Sequence, residues 1–156
     1  MNISFEFCDF ENPKHLTALA ELLNMYMADP MGDAPKLNKL QQLRLVDGLS
    51  NHTSSLVLFE LIDQAIVAIA VCFINFSTFK VKSYLNIHDF FVHPDYRGQG
   101  LGNKLMQELI AISKERNYCK ITLEVREDNS SAQSIYKKNG FAECKPIMFF
   151  WTNNLN

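Results

Sequence analysis

The densest chemistry in the chain lies in one stretch, His88-Asp89-Phe90-Phe91-Val92-His93-Pro94-Asp95-Tyr96-Arg97-Gly98-Gln99-Gly100-Leu101-Gly102. An apolar run holding two polar residues, His88 and Asp89, passes into a glycine-rich loop. That loop opens into a segment with Leu101, Leu105, Leu109 and Ile112 at helical spacing. The start of a helix leaves about four N–H groups without partners and carries roughly half a positive charge. Glycines let an anion approach such backbone with no Cβ in the way. Gly98, Gln99, Gly100, Leu101, Gly102 and Asn103 therefore read as a local anion cradle.

The spacing narrows the choice of anion. A dinucleotide fingerprint GxGxxG counted from Gly98 would need glycine where the chain has Asn103. The phosphate loop GxxxxGK[ST] is absent. A metal reading of His88, Asp89 and His93 fails on a regular strand, where positions 88 and 93 face opposite sides. No metal is expected. A second polar constellation follows at Asn129-Ser-Ser-Ala132-Gln-Ser-Ile-Tyr136-Lys-Lys-Asn-Gly140-Phe141. Asn129 can cap a helix carrying Ala132, Ile135 and Tyr136, with Gly140 ending it.

The elements that must position these residues follow from periodicity. Ile3, Phe5 and Phe7 alternate as a first strand, and Asn12-Pro13 opens a helix that Asp29-Pro30 stops. A weaker helix is expected over 36–47, with Gly48 just past its end. Strands are expected over 55–62 and 65–76, joined by a turn at Asp63-Gln64, and then over 84–92. The long helix, a strand over 120–125, the helix capped by Asn129 and one or two closing strands over 141–151 complete the order. This predicts a single α/β domain over residues 1–156, with a mixed sheet of about six to seven strands and about four helices.

Arg97-x-x-Gly100-x-Gly102, after a strand ending in Phe91-Val92, resembles the pyrophosphate-binding motif of the GNAT superfamily of acyl-CoA N-acyltransferases. The later segment resembles the same family's N-x-x-A-x-x-x-Y-x-x-x-G-F signature. The two motifs cover residues 84–141; the first 80 residues fit in element order alone. The resemblance implies splayed central strands and acetyl-CoA as co-substrate. The cofactor's pantetheine arm would pair with the backbone of Phe90, Phe91 and Val92. Its pyrophosphate would sit on the amides of residues 98–103, and Arg97 and Asn129 match cofactor-side positions. Tyr136 matches the family's general acid, which would protonate the departing thiolate of CoA.

The base stays open between His88, Asp89 and, on the neighbouring strand, Glu124. The run over 84–92 resembles the diamine (polyamine) N-acetyltransferase branch, which carries Glu at the position of His88. The implied activity is acetyl transfer to a primary amine, favouring a small one. A protein amine, or a non-catalytic acyl-CoA-binding module, remains as an alternative. Asp29 and Asp33, in a Gly/Pro loop, could attract a cationic acceptor.

Composition is consistent with that expectation. The 156 residues are 47% hydrophobic and 21% charged with a net charge of −2. No global basic field recommends nucleic acid or an anionic membrane as a partner. No run reaches the ~20 apolar residues of a membrane span. The first ten residues lack the pattern of a secretory signal, and the expected location is the cytoplasm. Cys8, Cys72, Cys119 and Cys144 show no CxxC spacing and are expected to be small buried core residues. The aromatic run Phe149-Phe150-Trp151 suits sheet core or a homodimer contact.

Overall fold

In the computed structural model, which describes residues 1–155, the order is β1 (Ile3–Phe7), α1 (Pro13–Ala28), α2 (Lys39–Asn51), β2 (Ser55–Ile62), β3 (Ala65–Ser77), β4 (Lys82–Val92), a 3-10 turn (Pro94–Tyr96), α3 (Leu101–Glu115), β5 (Ile121–Leu123) and α4 (Ser130–Lys138). The strands form one five-stranded sheet in sequence order. Its pairs are antiparallel except β4 with β5, which run parallel because α3 crosses over between them.

Alternation in the strands explains the layers. In β2, Leu56 and Leu58 pack with Leu105, Met106 and Leu109 of α3, while Val57, Phe59 and Leu61 pack with Leu19, Leu22 and Leu23 of α1 and Leu49 of α2. The mixed α/β fold agrees with the sequence expectation, with five strands instead of six or seven. The missing strands are those expected over 141–151. That segment takes no part in the sheet, and Pro146 within it lacks the N–H that a ladder needs.

Two local expectations also need correction. The second helix is Lys39–Asn51, not 36–47, and Gly48 lies inside it. A capping box sets its start: Asn38 Oδ1 accepts from the Gln41 N–H at 3.0 Å, and Gln41 Oε1 accepts from the Asn38 N–H at 2.9 Å. Of the four cysteines, Cys72 alone is buried; Cys8 and Cys119 are partly exposed and Cys144 is exposed.

Two irregularities in the sheet matter for the site. The β3–β4 ladder slips between Val71 and Cys72, so Asp89 faces Val71 and Ile87 faces Cys72, leaving His88 as the extra residue of a bulge. The β4–β5 ladder ends at Ile87 and Leu123. Beyond that point β4 continues to Val92 with its β5-side edge unpaired. A gap therefore opens between the two strands.

Candidate active site

The bulge reverses the phase of β4. Before it, Leu85 and Ile87 face α3 and α4; after it, Phe90 and Val92 do, and Phe91 turns to α1. His88 and Asp89 consequently share one face, contrary to the strict alternation expected from sequence. Asp89 lies opposite Val71, which packs on the α1 side. The His88 ring stands edge-on to Phe73, 5.6 Å between centroids, and Phe73 also meets His52 at 4.9 Å. His88 is exposed, whereas burial raises the Asp89 carboxyl above the ordinary range and His88 only partly opposes this. Glu124 is exposed, beyond the end of β5.

Tyr136 comes from the opposite side. It is buried among Phe90, 6.2 Å between ring centroids, and Phe141 at 5.9 Å. Its hydroxyl makes no side-chain hydrogen bond among the described residues. Burial pushes it up to about 12, with a further rise from Tyr26. Tyr26, on the last turn of α1, packs on Phe91 at 5.5 Å. Burial raises its own hydroxyl, and Asp89 and Asp29 add to this. Tyr26 and Tyr136 thus pack on opposite faces of β4, against Phe91 and Phe90, and Tyr26 adds to the rise at Tyr136. Sequence reading passed over Tyr26 because its spacing from Leu19 and Leu23 reads as plain helix core.

The glycine loop ends in an uncapped helix. Gly98 and Gly100 have φ of 77° and 78°, and a Cβ on either would meet nothing within 4 Å. Gly100 is the N-cap residue of α3 and supplies no side-chain cap; the Lys104 N–H is the first to bond back, to the Gly100 carbonyl at 3.2 Å. The amides of Leu101, Gly102 and Asn103 are left for an external acceptor. This open, donor-rich turn fits a diphosphate. Gln99 is exposed in the same turn, while the Leu101 side chain is buried against Ile62 and Val67.

Gly102 does a different job from the one its place in the motif suggests. A Cβ there would lie 3.1 Å from Ile135 Cδ1 and 3.6 Å from Phe90 and Val92 side-chain atoms, so its bareness lets α3 pack on β4 and α4. Asn103 points its Oδ1 at Asn139 Nδ2, 2.9 Å, tying the start of α3 to the end of α4. Asn129 accepts the Ala132 N–H at 3.1 Å as the N-cap of α4.

Arg97 folds back from the cradle. Its Nε donates to the Val92 carbonyl at 3.0 Å, its Nη2 donates to Asp29 Oδ2 at 2.9 Å, and its guanidinium lies 5.1 Å from the Phe91 ring centre. Burial alone would raise the Asp29 carboxyl, but the Met31 N–H and the Arg97 guanidinium outweigh it and hold the group below the usual range. On the other side Arg126, gripped by Asp128 at 2.8 Å, comes within 3.9 Å of Asp33. The loop after α1 is thus linked to both walls of the gap. It also borders a shallow, open depression lined by residues 27–30 and 33–35.

The model of the acetyltransferase (GNAT) family matches residues 17–141. The chain belongs to that family. A putative ribosomal protein bS18-alanine N-acetyltransferase of Bacillus subtilis is 41% identical over 63 residues, 40% of this chain and 42% of that protein. A thialysine N-epsilon-acetyltransferase of Bos taurus is 28% identical over 75 residues, 48% and 44% of the two chains. The crystal structure of a probable acetyltransferase superposes with a TM-score of 0.83 at 20% identity, covering 100% of this chain and 99% of the other. The chain spans 38–52% of the length of the first curated relatives it matches. A special kinship with the polyamine branch does not emerge among these proteins. No described helix is long and apolar enough to cross a membrane.

Proposed function

We propose that this GNAT chain transfers the acetyl group of acetyl-CoA to a primary amine by direct attack in the gap between β4 and β5. The observation that carries this reading is the coincidence, at one opening, of an unpaired β4 edge, an uncapped α3 start and the buried Tyr136. The free backbone groups of Phe90, Phe91 and Val92 would hold the pantetheine arm, and the amides of 98–103 its diphosphate. Acetyl-CoA supplies the thioester.

The protein's own groups would then act in turn. Burial raises the Asp89 carboxyl above its ordinary range, which makes it a better proton acceptor from an ammonium than a solvated aspartate. His88 stands beside it on the bulge. As the amine nitrogen bonds to the thioester carbonyl carbon and the C–S bond breaks, the Tyr136 hydroxyl would donate its proton to sulfur. A phenol pushed up to about 12 stays protonated at neutral pH and is ready to do so. With Asp29 facing Arg97 and Asp33 near Arg126, Asp89 is the carboxyl that favours a small cationic acceptor at the gap. A terminal protein amine is the second reading, prompted by the relative from Bacillus subtilis.

Thermal shift with acetyl-CoA against CoA, ATP and NAD tests the cofactor, and thiol release with a panel of diamines, lysine analogues and peptide α-amines tests the reaction. The expected result is stabilisation by acetyl-CoA and thiol release with at least one small amine. No stabilisation by acetyl-CoA overturns the site; stabilisation with no thiol release from any amine marks a non-catalytic binding module. Asp89→Asn and His88→Ala, each followed against pH, separate the base from its neighbour: the base variant loses the acid limb of the rate profile.

A further inference from the structure

A row of three rings crosses the sheet beside the bulge. Phe73 on β3 stands between two imidazoles, 5.6 Å from His88 with 72° between the planes and 4.9 Å from His52 with 62°. His52 ends α2 as its C-cap residue, so a helix end, a central strand and the bulge each contribute one ring. Phe73 packs at the margin of the apolar layer under α1 and α2 and stays half-buried, while His52 and His88 are exposed. Asn75, two residues further and so on the same face, is exposed as well. The apolar cover of α1 and α2 thus ends at Phe73, and the rings form an accessible shelf.

The shelf has two unlike ends. Asp89, the carboxyl that shares this face, adjoins His88. At the other end His52 is fixed as a donor. Its Nδ1 accepts the Ser54 N–H at 3.3 Å, so the ring proton sits on Nε2, which makes no hydrogen bond among the described residues. No described carboxylate forms an ion pair with His52. A ligand lying along the shelf meets an anion at one end, an apolar ring in the middle and a hydrogen-bond donor at the other. An ammonium at the His52 end would face that donor with no anion to balance it.

Resting on the acetyl-transfer reading above, we propose that His52, Phe73 and His88 form the acceptor subsite and that the acceptor is a zwitterion. Its primary amine lies at Asp89, its aliphatic body on Phe73, and its carboxylate receives the His52 Nε2–H. His52 and Phe73 then select among amines without taking part in the proton transfers. A diamine of the same length brings a second cation to a waiting donor, and an alkylamine brings nothing there.

The test is thiol release from acetyl-CoA with alkylamines, α,ω-diamines and ω-amino acids in matched series of increasing chain length, with peptides bearing a free α-amine beside them. The native chain is compared with His52→Ala and with His52→Gln, which keeps a side-chain N–H. The native chain is expected to favour the ω-amino acid over its matched diamine and alkylamine by about tenfold in kcat/KM at one best length. His52→Ala is expected to bring the three classes level by raising KM for the amino acid about tenfold, and His52→Gln to restore part of the preference. A native chain that prefers diamines or alkylamines at every length overturns the proposal. So does a His52→Ala chain that keeps the carboxylate preference, and so do peptides that outrun every ω-amino acid. Thiol release with no amine of any class overturns the transferase reading itself, an outcome distinct from a wrong preference. Should His52→Ala show no melting transition, the native series and His52→Gln decide.

Discussion

Gly32 lies so close to the end of α1 that a Cβ on it would sit 1.9 Å from the Tyr26 carbonyl oxygen. Backbone cannot swing aside as a flexible side-chain end can. Gly32→Ala should therefore push the 29–35 loop off α1, loosening both the Arg97–Asp29 and the Arg126–Asp33 pairs. The expected cost is about 1–3 kcal/mol in denaturant unfolding, typical of overpacking. A rise in KM for a cationic amine should accompany it. A variant as stable as the native chain would mean that the loop can rest elsewhere.

Tyr136→Phe keeps the ring against Phe90 and Phe141 and deletes a hydroxyl that bonds to no side chain among the described residues. Melting temperature and acetyl-CoA affinity should not change, while kcat should fall by about 10²-fold or more. Single-turnover thiol release measures this directly. Unchanged turnover would remove Tyr136 from the proton transfer.

Gly100 and Gly102 are two positions apart and should fail differently. Alanine at 100 meets open space but must adopt φ near 78°, a strain of about 1–2 kcal/mol for an L-residue. Relaxing that strain would turn the first amides of α3 away, so acetyl-CoA should bind about tenfold more weakly. Alanine at 102 meets Ile135 Cδ1 at 3.1 Å, so its effect should appear in the melting temperature. Calorimetric titration and thermal melts of the two variants separate these outcomes.

Glu60 is fully buried in β2, and neither carboxyl oxygen has a hydrogen-bond partner. Burial pushes it up to about 7, with Lys104 opposing weakly. The folded chain thus holds a proton that the unfolded chain releases near 4.5. Stability from this group is present below about 4.5 and is lost as pH rises to about 7. Glu60→Gln should match the native chain near pH 4.5 and exceed it above pH 7, by on the order of 2–3 kcal/mol. Parallel melting curves for the two proteins would contradict a neutral buried Glu60.

The cradle was legible because its signals are local. Glycines, a following helical stripe and the strand before them occupy one run of chain, and Asn129 and Tyr136 carry their own short spacing. The capping box at Asn38 is equally local, since Asn38 and Gln41 stand three residues apart. The His88 bulge could not be read the same way. It arises from a slip against Val71 and Cys72 on another strand, and nothing in the run 84–92 announces it.

Residue types and short-range spacing thus specified a glycine-rich helix start without a side-chain cap, a phenol one helix later and the order of strands and helices, because hydrogen bonding and side-chain period act over a few residues. Pairing between distant segments settled the rest. It turned His88 and Asp89 to one face, ended the β4–β5 ladder at Ile87, set Tyr26 of α1 and Tyr136 on opposite faces of β4 and left 141–151 outside the sheet. Those outcomes depend on which edges find partners across tens of residues, and a linear pattern carries no record of that competition.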